Sequence, residues 1–80
     1  MDHIFDVIIN GSNGILVISS DTRMLMLQYS DNEIRIRDSD PTLIFSNNQV
    51  IYKWLDDEYD IRVIKNKDIK TIRKLYNFWF

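Results

Sequence analysis

An 80-residue chain with 10 Lys and Arg against 12 Asp and Glu, and so a formal charge of −2, has room for one modest core and excludes a second. With no cysteine and with His3 as the single histidine, neither a disulfide framework nor a cysteine or histidine zinc site can be built, which leaves self-association as the remaining aid to a marginal domain. No segment approaches the roughly 18 consecutive apolar residues of a membrane span, and Met1, Asp2 and His3 form no basic leader. The expectation is a cytoplasmic protein, in the host cytoplasm if phage-encoded.

Isoleucine, asparagine and aspartate are abundant and alanine is absent, a bias toward strands and turns. It also fits AT-rich coding of the kind common in phages and other mobile elements. Short apolar runs recur about every ten positions between Asn, Gly, Ser, Asp and Pro, which predicts an antiparallel meander or a small barrel of six to seven short strands. The strands are placed at 4–9, 15–19, 24–29, 33–37, 42–45, 50–55 and 61–64. Residues 10–14 hold two Asn-Gly steps, the chemistry of a tight hairpin turn. The triplet Asn10, Gly11, Ser12 also spells a glycosylation acceptor, but without a secretory signal it reads as that turn. Pro41 cannot donate to a ladder, so its strand starts there or lies at an edge.

The first two strands are apolar on both faces, whereas residues 33–37 alternate cleanly. Strands of the first kind need cover on both sides, from barrel closure, from a packed helix or from a second copy in a homodimer. From Asp68 the period changes to about 3.6, with Ile69, Ile72, Leu75, Tyr76 and Trp79 on one helical face. Asp68 or Asn66 is placed as N-cap, and Lys67, Lys70, Arg73 and Lys74 fall on the opposite side. The whole of 1–80 is thus one mainly β, α+β domain, a β region over 1–64 closed by a C-terminal amphipathic helix over 67–79.

Catalysis needs a nucleophile, a base and an oxyanion stabiliser in one cleft, and a single histidine at position 3 supplies no secure base. The carboxylate pairs Asp38 with Asp40 and Asp57 with Glu58 fall in expected turns, where Asp serves its own backbone. No enzyme and no cofactor are expected. Asp56, Asp57, Glu58 and Asp60 do not have EF-hand spacing, and the loop from Gly11 to Gly14 lacks the lysine and helix of a P-loop.

The charge is segregated. Residues 1–60 hold four cations against eleven acids, a balance of −7, and residues 61–80 hold six cations against Asp68, a balance of +5. Two interaction surfaces follow as candidates: an acidic one at Asp56, Asp57, Glu58 and Asp60, and a basic and aromatic one at Lys70, Arg73, Lys74, Phe78 and Phe80. The sequence therefore points to a small protein-binding inhibitor that occludes a partner, such as a nuclease or toxin with a basic groove. Phage-encoded anti-defence proteins (anti-CRISPR or anti-restriction) and toxin-immunity proteins are of this size and type. The alternatives are a nucleic-acid-binding barrel that uses the C-terminal helix, or through Arg35 and Arg37, and a structural homo-oligomer subunit. The acidic body makes nucleic acid the less favoured partner, and no membrane is expected.

Overall fold

Where the chain alternates apolar with polar residues the backbone follows that period of two, and it abandons it only at the last dozen residues. The computed structural model describes residues 1–36 and 41–79, with the side chains of Ile36 and Trp79 outside the description. The strands are β1 (Asp2–Ile9), β2 (Ser12–Ser19), β3 (Met24–Tyr29), β4 (Asn32–Ile36), β5 (Thr42–Ser46), β6 (Gln49–Trp54) and β7 (Asp57–Val63), and one helix, α1 (Asp68–Trp79), follows them. Two-residue loops at 10–11, 30–31, 47–48 and 55–56 join four of the hairpins. Each begins with a left-handed residue, Asn10 (φ 49°), Ser30 (φ 51°), Asn47 (φ 51°) and Leu55 (φ 55°). Such a start matches the right-handed twist of the flanking strands.

The sheet order is β4-β3-β2-β1-β7-β6-β5, antiparallel throughout. The direction of each strand explains why the sheet is an open meander and not a barrel. Following the pairings outward from β1, β4 and β5 run the same way. Closing the ring would need a parallel pair, whose crossover takes a dozen or more residues. Only five residues separate Ile36 from Thr42.

One face of the sheet carries the core: Phe5, Val7 and Ile9 of β1, Leu16 and Ile18 of β2, Leu25 and Leu27 of β3, Leu43, Val50, Tyr52, Ile61 and Val63. Helix α1 covers it with the fully buried Ile72 and with Ile69, Leu75 and Tyr76 beside it. The stripe expected at 69, 72, 75 and 76 is therefore the packed one, while the Trp79 side chain lies outside the described residues. Gly14 is required by close approach, since a Cβ there would sit 2.4 Å from the Gln28 carbonyl oxygen and 2.9 Å from Tyr29 Cβ.

Both sheet edges are protected against pairing with another chain. The Tyr76 hydroxyl donates to the Pro41 carbonyl at 2.9 Å and accepts from the Leu43 amide at 3.4 Å, so the helix covers the start of β5. On β4 the exposed edge carries an ion pair between Glu33 and Arg35. Among the described residues no helix is long and apolar enough to cross a membrane.

Several boundaries differ from expectation. The first hairpin turns on Asn10 and Gly11 alone, and Asn13 and Gly14 belong to β2. Asp57, Glu58 and Asp60, expected in a turn, lie in β7, because Tyr59, Ile61 and Val63 between and beyond them face the core. Neither residue expected as N-cap stands in that place: Asp68 is the first residue of α1, where its charge complements the helix dipole, and Asn66 accepts a hydrogen bond from the Asn48 side-chain amide at 2.6 Å.

Candidate interaction surfaces

The β6–β7 hairpin closes on the pair Trp54 and Asp57, leaving Leu55 and Asp56 as its loop. Leu55 is the anomaly. A left-handed L-residue costs roughly 1–2 kcal/mol, and glycine, asparagine or aspartate is the usual occupant. Here a leucine takes that conformation at φ 55° and holds its side chain 80% exposed. Asp56, Asp57 and Glu58 are exposed around it. Burial, then the Asp57 carboxylate and Tyr29, raise the pKa of the neighbouring Tyr59 phenol above its usual value.

Asp60 does not join this tip. Its carboxylate accepts from Gln49 Nε2 at 2.9 Å, its amide donates to Asn10 Oδ1 at 2.9 Å, and its carbonyl accepts from the Asn10 amide at 2.8 Å. It ties β7 to the first hairpin turn and is structural. The expected acidic quartet therefore divides into three exposed carboxylates and one fixed one.

The basic surface is also rearranged. Lys70 and Lys74 are exposed on α1 and, with Thr71 and Leu75, line a shallow depression of about 230 Å³. Arg73 is drawn elsewhere, its guanidinium 5.0 Å from the centre of the Phe45 ring, which in turn tilts against Tyr76 at 6.1 Å. Its stacking joins the helix to β5, while Arg73 itself stays exposed. Phe78 stands 76% exposed, whereas Phe80 lies outside the described residues, as do Arg37, Asp38 and Asp40.

The side of the sheet turned away from the helix holds a third surface. Ile4, Val17, Met26 and Arg35 form one cross-strand row, with Ile15 and Met24 beside it. Val17 is only 4% exposed there, covered by its neighbours, while Ile4 is 63% exposed. The expectation that the first two strands are apolar on both faces thus meets a helix on one side and an apolar strip on the other.

Among the described residues no group of three His, Cys, Asp or Glu side chains could hold a metal ion. Against known proteins, the chain matches no family model, no curated sequence and no solved structure.

Proposed function

We propose that this chain is a small non-enzymatic binding protein that inhibits a protein partner by occluding it, docking through the β6–β7 tip. The observation that carries the reading is Leu55, a large apolar side chain 80% exposed at φ 55°. The hairpin needs a left-handed residue there but not a leucine, and a large exposed apolar side chain at that point suits an anchor that enters a partner's pocket. Asp56, Asp57 and Glu58 surround that anchor with carboxylates that make no ion pair among the described residues. An apolar anchor ringed by negative charge complements a basic groove such as that of a nuclease or toxin, where carboxylates take the places of phosphates. Its size and type are those of anti-CRISPR, anti-restriction and toxin-immunity proteins.

The test is affinity capture from the native host with three baits: the unaltered chain, Leu55→Asn, and the combined Asp56→Asn, Asp57→Asn, Glu58→Gln variant. Circular dichroism establishes that all three are folded. A protein retained by the first and lost at least tenfold by both others is the expected result. Equal retention by all three overturns the tip as the interface, and no retained protein overturns the inhibitor reading.

A further inference from the structure

We infer that the exposed side of α1 is a binding site for the phosphate backbone of a single-stranded nucleic acid. At 100° per residue, Lys70, Thr71, Lys74 and Phe78 of α1 fall within one sector of about 100°, opposite the side that Ile69, Ile72 and Tyr76 turn to the core, and Lys67 immediately precedes the helix. Along the axis, Lys70, Lys74 and Phe78 follow one another at steps of about 6 Å, a row about 12 Å long, with Lys67 just ahead of its start. All of these side chains are exposed, and none of the three lysines is in an ion pair among the described residues. The helix's one acid, Asp68, is set about 160° round the helix from Lys70.

The depression between Lys70 and Lys74 has the chemistry of a phosphate seat. Its lining residues, Lys70, Thr71, Lys74 and Leu75, carry two ammonium groups and one hydroxyl beside an apolar side chain. Phe78, 76% exposed at the end of the same row, adds an aromatic ring beside the cations. Cations along the backbone path with an aromatic beside them are what single strands require, because stacking tolerates any base.

Two features narrow the ligand. An interfacial membrane helix must sink an apolar face into lipid, and the apolar face of α1 is already occupied by the sheet. The balance of −7 over residues 1–60 repels phosphates from the rest of the molecule, so a bound strand is confined to the helix. The inference rests on no residue of the β6–β7 tip, and tip variants should bind the strand unchanged.

The test is fluorescence anisotropy of labelled oligo-dT and oligo-U with the full chain. With three lysines engaged, log affinity should fall with log salt at a slope of about −2, or about sixteenfold between 50 and 200 mM. Lys70→Gln with Lys74→Gln should weaken binding at least tenfold. Lys53→Gln with Arg62→Gln, which removes the same net charge from the sheet, should leave binding in place. Phe78→Ala should weaken binding about tenfold with the salt slope unchanged, since stacking releases no counterions. Circular dichroism shows that each variant is folded. Absence of saturable binding at low salt overturns the inference, as does equal loss from the two double variants. A duplex or an anionic lipid vesicle that binds as tightly as the single strand overturns the assignment of the ligand. Binding of oligo-dT but not oligo-U, or the reverse, supports the site, and oligo-dU then tells whether the sugar or the thymine methyl decides the preference.

Discussion

Tyr52 and Tyr76 carry the same hydroxyl in opposite circumstances, and the pair gives a sharp test of what holds this fold together. Tyr52 is fully buried with 0% exposure, and its hydroxyl is the buried side-chain polar atom left without a hydrogen-bond partner among the described residues. Its ring packs edge-on against Tyr59 at 5.9 Å, a contact that phenylalanine would preserve. An unsatisfied buried donor costs about 1–3 kcal/mol, and deleting one oxygen from a packed core gives back a few tenths as a void. Tyr52→Phe should therefore stabilise the domain by about 1 kcal/mol, which for a chain of this size raises Tm by about 4–8 °C. At Tyr76 the hydroxyl both donates to Pro41 and accepts from Leu43, so Tyr76→Phe should destabilise by about 1 kcal/mol. Urea denaturation followed by circular dichroism measures both. If Tyr52→Phe destabilises by 1 kcal/mol or more, the hydroxyl has a partner such as a buried water and the reasoning fails.

The same phenol sets the alkaline limit. Burial, then the neighbouring Tyr59, raises the Tyr52 pKa far above the unfolded value near 10, so stability is fully present below about pH 10 and declines above it by up to about 1.4 kcal/mol per pH unit; pH-dependent urea melts of Tyr52→Phe should show that slope reduced by one proton's worth. Leu55→Asn should stabilise by about 1 kcal/mol through relief of the left-handed backbone, measured by the same melts, while it removes partner binding. Gly14→Ala should cost about 1–3 kcal/mol, since its Cβ would press on the Gln28 carbonyl and Tyr29, and a melt unchanged within error would show that β2 and β3 can part locally. Ile72→Ala should cost about 2–5 kcal/mol, the range for emptying a buried aliphatic site, and a smaller loss in thermal denaturation would make α1 an appendage.

The fold was largely legible because the chain changes hydrophobic period once, at Asp68, and punctuates its strands with turn residues. What periodicity could not settle was which Asn-Gly step makes the first turn. Turning on Asn10 and Gly11 or on Asn13 and Gly14 keeps the same side chains facing inward, so alternation is blind to the choice. Overlap decides it: the observed register pairs Ile4 with Val17 and Phe5 with Leu16 over eight residues, whereas the other would oppose Ile4 and Phe5 to Arg23 and Thr22. The sites were less legible. Leu55 read as the end of a strand because Leu-Asp is not a tight-turn pair, and its left-handed backbone becomes visible only in three dimensions. Arg73 read as one of a basic row, yet its neighbour across space is Phe45, 28 positions away in the chain.

Charge segregation along the chain has two possible outcomes on folding, and the structure separates them. If the basic helix served to neutralise the acidic sheet, its lysines would be found against carboxylates. The ion pairs given by the described residues are instead local to the sheet, Met1 amino group with Asp21 and Glu33 with Arg35. Lys65, Lys67, Lys70 and Lys74 remain exposed, and so do Asp56, Asp57 and Glu58. Helix and sheet are joined by the burial of Ile72, the hydrogen bond from the Tyr76 hydroxyl to the Pro41 carbonyl and the Arg73 guanidinium over Phe45. Folding thus leaves these four lysines and three acids in water, where exposed charges add little stability and keep their reach toward partners of opposite sign.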